Sequence, residues 1–166
     1  TGDAVSVGLQ AFEPHELDDD NFDLMVLPGD TPLLKSETLT ELHRVHVNMG
    51  AAATLLTAQL EDPSGYGRIV RDGEGRIERI VEHADAAPEE LKISEVNTSI
   101  YCFDRSVLTA ALRKVDNRNN QGEYYLTDVI QVLRAAGHTT AALLVDDPNE
   151  VRGVNDRQQL AECEAV

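Results

Sequence analysis

Six short polar islands in this chain carry residue types that bind metals, phosphates or sugars. The first is Asp30, in VLPGDTPLL. A carboxylate just past an apolar strand is well placed to hold Mg²⁺, which takes one or two protein oxygens and fills its other positions with phosphate and water. Pro, Gly and Asp are also ordinary turn residues. The second island, Gly65 to Arg68 (GYGR), could let a ligand lie against main chain at Gly67, or simply lead into a hairpin. In the third, VEH at 81 to 83, Glu82 ends a strand and could accept hydrogen bonds from sugar hydroxyls, though Glu at a strand end is commonly just exposed. The fourth is Asn97, a lone amide in an apolar run (EVNTS), which needs partners if buried. A sugar, a neighbouring strand or a loop would serve equally. The fifth is QGEYYLTD, residues 121 to 128, a helix start with two tyrosines and two carboxylates, part of which helix capping explains. The sixth is GVNDR, where Asn155 could cap a helix or offer its amide oxygen to Mg²⁺.

Nothing in the sequence suggests covalent catalysis: no Ser-His-Asp or Cys-His arrangement is evident. His43 and His46 lie three apart on a predicted helix, and Cys102 and Cys163 have no partner at a metal-ligand spacing, so a zinc site is not expected. The two cysteines read as reduced thiols of a cytoplasmic protein.

The elements that must position these islands follow from periodicity. Ala4 to Phe12 reads as a short helix, followed by the acidic, turn-rich stretch EPHELDDDN. DLMVLPGD reads as a buried strand. Ser36 is placed to cap a helix over Glu37 to Asn48. AAATLLTAQL is a strand, RIVRDGEGRIERIVEH a hairpin and ISEVNTSIYCFD a strand. Arg105 to Lys114 and Tyr125 to Ala136 are helices, TTAALLV a strand, and Asn155 to Glu164 a last helix. Strands alternating with helices around one hairpin predict an α/β fold with a mixed, mostly parallel sheet. Ligands of such sheets bind beyond the strand ends, where these islands fall.

Composition narrows the partners. With 42% hydrophobic residues the 166-residue chain can bury a core. A net charge of -16 argues against nucleic acid or anionic lipid as partner. No stretch approaches membrane-spanning length.

Taken in order, VLPGDTPLL, DPSGYGRIVR, RIVEHADA, EVNTSIYCFD, NNQGEYYLTDVI and GVNDRQQLAE resemble the pyrophosphorylase domain of the bacterial N-acetylglucosamine-1-phosphate uridyltransferases, along the whole chain. The resemblance implies a Rossmann-like sheet of the nucleotide-diphospho-sugar transferase type. It also implies synthesis of UDP-N-acetylglucosamine and pyrophosphate from UTP and N-acetylglucosamine 1-phosphate, in peptidoglycan synthesis. It assigns Asp30 and Asn155 to Mg²⁺, and Gly67, Glu82 and Asn97 to the UDP-sugar. Thr1 stands beside uridine and sugar, Gly29 borders the substrate, and Tyr125 and Thr127 line the sugar pocket. Pro28, Ser99, Asp3 and Asp156 depart from the family pattern without removing a proposed metal ligand.

The family's first strand and glycine-rich nucleotide loop have no counterpart here, nor does its left-handed β-helix acetyltransferase domain. Residues 1–166 are therefore expected to be a partial, N-terminally truncated pyrophosphorylase domain, poorly active alone. Without the β-helix it is not expected to trimerise, though an exposed sheet edge could pair two copies. Two alternatives stand beside this reading: a transferase for another sugar or base, and a non-catalytic nucleotide-sugar binding module.

Overall fold

The computed structural model describes residues 2–12 and 22–165. In chain order these form α1 (Gly2–Leu9), β1 (Asp23–Val26), α2 (Ser36–Met49), β2 (Ala53–Gln59), β3 (Arg68–Arg71), β4 (Ile77–Val81), β5 (Glu95–Asp104), α3 (Arg105–Leu112), α4 (Asp128–Ala135), β6 (Thr140–Leu144) and α5 (Arg157–Glu164). Short 3-10 turns at Glu90–Lys92 and Pro148–Val151 complete the pattern. Thr1 and the acidic stretch 13–21 lie outside the described residues.

All six strands join one mixed sheet, in the order β4-β3-β5-β2-β6, with β1 also on β5. The pairings set β1, β2, β3 and β6 running one way, with β4 and β5 opposed to them. Because β5 stands among strands that oppose it, β2–β6 is the parallel pair and the other pairings of described strands are antiparallel.

Alternating side chains build a core on each face. Leu55, Ile69, Ile77, Tyr101 and Phe103 meet Leu108, Val129, Ile130 and Leu133 of α3 and α4 on one side. Leu56, Val96, Ile100 and Cys102 meet Leu42 of α2 on the other. Each such fully buried aliphatic side chain contributes about 1.5–3 kcal/mol. The first six residues of β2 are buried, as expected of a strand covered on both faces.

Several expected boundaries shift, each for a local reason. β1 is half-buried and stops at Val26, because β5 is the one strand pairing with it among the described residues. Phe12 lies past the end of α1 and packs on Phe22 at 6.2 Å between ring centroids. Ser36 is the first helical residue of α2; its hydroxyl donates to Glu37, and Lys35 holds the cap position. α4 begins at Asp128, after the turn bonds from Asp128 and Val129 back to Tyr125 and Leu126. Asp156 caps α5, accepting from the Gln159 amide. Asn155 is thereby released from the capping role that competed with metal binding.

β5 positions the site through an irregularity. Leu55 pairs with Tyr101 and Thr57 with Asn97, so one residue of β2 opposes three of β5. The surplus bulges at Thr98–Ile100, Ser99 adopts φ of 61°, and the Thr98 hydroxyl donates to the Leu56 carbonyl at 2.7 Å. A left-handed conformation costs a non-glycine residue about 1–2 kcal/mol. Ser99→Gly is therefore expected to be neutral or to stabilise by about 1 kcal/mol, and Ser99→Val to destabilise, in urea titrations. A Ser99→Val variant as stable as the parent would show that the bulge conformation does not exist in solution.

Candidate active site

β1 and β3 share one edge of β5 but grip different halves of it. β1 pairs with residues 101–104, and β3 meets β5 at Val96. The bulged middle of β5 is left open between them. A cavity of about 330 Å³ occupies this gap, with Val26, Leu27 and Pro28 on one side, Ser99 and Tyr101 from β5, and Glu82, Tyr125 and Thr127 opposite. Ala4 and Val5 of α1 form part of its wall.

Of the sequence-predicted sugar residues, Glu82, Tyr125 and Thr127 line this cavity, whereas Gly67 and Asn97 pack beside it without lining it. The buried Thr127 hydroxyl donates to Glu82 Oε1 at 2.9 Å. Gly67 sits against the same carboxylate: a Cβ there would stand 3.3 Å from Glu82 Oε2 and 3.1 Å from Ile80 Cγ2, so a bare Cα is what allows the approach. Gly67 also accepts the Asn97 amide at 2.9 Å. The buried Asn97 side chain finds protein partners, donating to Tyr101 Oη at 2.7 Å and accepting the Ser99 amide at 3.3 Å. Its polar tip is thus fixed before any ligand arrives.

Carboxylates gather at and beside this cavity: Glu82 and Glu123 line it, and Asp85 and Asp128 line an adjoining pocket that shares Glu82 and Tyr125 with it. The buried Tyr125 hydroxyl is pushed up to about 12, first by burial and then by Asp85. Tyr125 Oη and Asp85 Oδ2 are close neighbours, yet neither makes a hydrogen bond of good geometry. Asp128 is held above the usual carboxylate range by burial and by Glu82, Asp116 and Asp85. Such surroundings suit hydroxyl and N–H donors and repel a phosphate, which must sit elsewhere or bring a cation.

A second constellation lies past β1. Asp30 and Asn155 are both exposed, and they converge over Gly153. A Cβ on Gly153 would stand 3.2 Å from Asp30 Oδ2 and 3.7 Å from Asn155 Nδ2. The Val154 amide donates to the Asp30 carbonyl at 2.8 Å, tying the two loops together. An exposed carboxylate and amide on one rim, with open positions around them, fit a hard cation that keeps most of its shell for water and phosphate. Gly29 is exposed and its Cα faces open space, so nothing within the protein requires glycine there. Pro28 connects the two constellations, lining the cavity two residues before Asp30. Thr1 lies outside the described residues.

The profile of the nucleotidyl transferase family matches residues 3–148. This chain belongs to the nucleotidyl transferase family. Among curated proteins, the bifunctional protein GlmU of Lactobacillus delbrueckii subsp. bulgaricus is 53% identical over 142 residues, which is 86% of this chain and 31% of that protein. GlmU of Lactobacillus helveticus is 48% identical over 163 residues, 98% of this chain and 34% of that protein. The chain spans about a third of the length of the curated relatives it matches. A solved Bacillus anthracis protein, described as a glucose-1-phosphate thymidylyltransferase in complex with sucrose, superposes with a TM-score of 0.63. The superposition covers 87% of this chain and 54% of that one at 20% identity, a likeness of fold alone.

The structure of this nucleotidyl transferase chain adds residues that sequence reading passed over. His83 accepts the Gly65 amide on Nδ1 at 3.3 Å. The same nitrogen is 3.4 Å from Arg68 Nη2. Arg68 is 1% exposed and donates to the Tyr66 carbonyl. Together they brace the loop that delivers Gly67 to the cavity. Asp85 and Asn120 do the same for the opposite wall: Asn120 donates its amide to Asp85 Oδ1 at 2.9 Å and its side chain to the Ala84 carbonyl at 2.8 Å. No periodic or motif signal marks such braces, because most of them join residues far apart in the chain. No helix among the described residues is long and apolar enough to cross a membrane.

Proposed function

We propose that this chain carries the sugar-phosphate side of a uridyltransferase that makes UDP-N-acetylglucosamine and pyrophosphate from UTP and N-acetylglucosamine 1-phosphate. The observation that carries the reading is the convergence of Asp30 and Asn155 over Gly153, one short loop away from the Glu82–Thr127 cavity. Identity of about half to the GlmU proteins over most of the chain supports the same choice of sugar and base.

In this mechanism an oxygen of the sugar 1-phosphate attacks the α-phosphorus of UTP. The bond from that phosphorus to the β-phosphate bridge breaks, and pyrophosphate leaves. The nucleophile is already an oxyanion, so no general base is needed, in keeping with the absence of a Ser-His-Asp or Cys-His set in the sequence. What remains for the protein is alignment and charge compensation. Glu82, held by Thr127, accepts hydrogen bonds from sugar hydroxyls. Asn97, held by Tyr101, keeps the bulge of β5 in shape beneath the ring. Asp30 and Asn155 would hold Mg²⁺, which when bound supplies Lewis-acid neutralisation of the phosphate oxygens. The Glu82 and Glu123 carboxylates in the cavity and the cation rim would thus divide the substrate between hydroxyl-rich and phosphate-rich ends.

Calorimetry tests this. UDP-N-acetylglucosamine is expected to bind with affinity that rises at least tenfold when Mg²⁺ is added, and UDP-glucose to bind more weakly. Equal affinity with and without the metal favours a non-catalytic nucleotide-sugar binding module. Tighter binding of a different nucleotide sugar favours a transferase for that sugar or base.

A further inference from the structure

On the face of the sheet opposite the cavity, three metal-binding side chains gather at the beginning of β1, with a fourth, His43, against one of them. Cys102 on β5 pairs across the sheet with Thr54 of β2 on one side and Met25 of β1 on the other. Asp23, two residues before Met25, points to the same face. α2 crosses that face and places His43 and His46 on one side, a helical turn apart. His46 is 3% exposed, with Nδ1 at 2.9 Å from Thr54 Oγ1 and Nε2 at 3.3 Å from Asp23 Oδ1. His43 Nε2 is 2.9 Å from Asp23 Oδ2. Ligand atoms of Asp23, His46 and Cys102 all lie within 4.8 Å of one another.

We propose that Asp23, His46 and Cys102 form a Zn²⁺ site that ties β1 to α2 and β5, with His43 holding the Asp23 carboxylate from outside. Two His–Asp contacts would account for three of these residues as plain ion pairs. They do not account for a buried thiol converging on the same point. A thiolate, an imidazole and a carboxylate are zinc's usual ligand types, water can complete the tetrahedron, and the sulfur selects against Mg²⁺. Tetrahedral bonds of about 2.0 Å place two light ligand atoms about 3.3 Å apart, which is the His46–Asp23 separation. The Thr54 hydroxyl engages Nδ1 and so leaves Nε2 as the coordinating nitrogen, the arrangement that orients imidazoles around zinc. Metal entry displaces the Cys102 proton to solvent, and no redox partner is required.

The sequence offered no ligand set around these histidines because Asp23 and Cys102 reach them only through strand register. The consequence concerns β1, a four-residue strand with one partner strand among the described residues. It leads directly to Asp30, so an ion at its start would steady the metal-binding rim at its end.

Co²⁺ serves as the spectroscopic probe, added to the protein in excess Mg²⁺. The expected result is one equivalent of Co²⁺ with intense tetrahedral absorption and a thiolate-to-cobalt charge-transfer band, both abolished by Zn²⁺. The band should vanish in Cys102→Ser and persist in Cys163→Ser and Asp30→Asn. His43→Ala, at an exposed position, should keep the fold and weaken Co²⁺ binding at least tenfold. Absence of the band in protein with native circular dichroism overturns the proposal, as does a band that survives Cys102→Ser. Should Cys102→Ser fail to fold, the wild-type band and the His43→Ala affinity decide the matter, and an unchanged affinity overturns it.

Discussion

Asp30→Ala, made in the complete enzyme, is expected to lower kcat for UDP-N-acetylglucosamine synthesis by about 10²–10³-fold or more, the scale on which single groups that stabilise developing charge act. Folding should barely change. The side chain is exposed, and the bond that fixes its loop, from the Val154 amide to the Asp30 carbonyl, belongs to the backbone and survives the substitution. Loss of activity with retained stability is the signature of a group that works on substrate. Gly153→Ala supplies an independent arm. Its methyl would arrive 3.2 Å from Asp30 Oδ2, closer than the carboxylate tolerates at rest, and must displace it. A smaller loss of kcat is expected, with Mg²⁺ dependence shifted to higher concentration. Steady-state rates across an Mg²⁺ titration read both variants, and an Asp30→Ala enzyme with full Mg²⁺-dependent activity would dispose of the metal role.

The sequence made the strand ends legible and left their bracing hidden. Hydrophobic periodicity located all six strands of the described chain, because alternating and continuous apolar runs are local signals. The islands around 30, 67, 82, 97, 127 and 155 could be seen as polar or glycine-bearing breaks in and around apolar elements, but each alone had an ordinary structural explanation such as a turn, a cap or a strand end. Only their order, through family resemblance, connected them. Where sequence reading went astray, the deciding term was non-local or lay within one helical turn. Asn155 and Asp156 are both acceptable caps, and the backbone chose Asp156. Ser36 had the right chemistry for a cap but sits one residue inside the helix. Asn97 was read as needing a partner, and Tyr101, two strand repeats along, supplies it because the intervening residues bulge. Arg68, His83 and the His46–Asp23–Cys102 cluster depend on register between strands, which composition does not encode.

Glu150→Ala is expected to destabilise the protein by about 2 kcal/mol, the scale of a lost charge-assisted hydrogen-bond pair. Glu150 is 6% exposed, in the 3-10 turn Pro148–Val151. One oxygen accepts from Lys35 Nζ at 2.9 Å and the other from the Thr38 hydroxyl at 2.5 Å, so the turn is fastened to the start of α2. A carboxylate there also faces the positive end of the helix. Burial opposes ionisation of Glu150, but Thr38 and Lys35 more than offset it, and its carboxyl sits below the ordinary value. A depressed folded-state value means that the stabilisation is fully present above the unfolded pKa of about 4.3 and is lost as pH falls through the folded one. The gap between parent and Glu150→Ala should therefore be constant from neutral pH to about 5 and narrow steadily as pH falls below about 4.3, measured by urea unfolding at each pH. A gap that did not narrow at all across the acid range would assign the effect to packing and not to charge. The same turn leads within two residues to Gly153, so loosening it should blur the meeting of Asn155 with Asp30. Glu150→Ala is expected to raise the Mg²⁺ requirement for UDP-N-acetylglucosamine binding as well as to lower stability, whereas core truncations such as Ile130→Ala should lower stability alone.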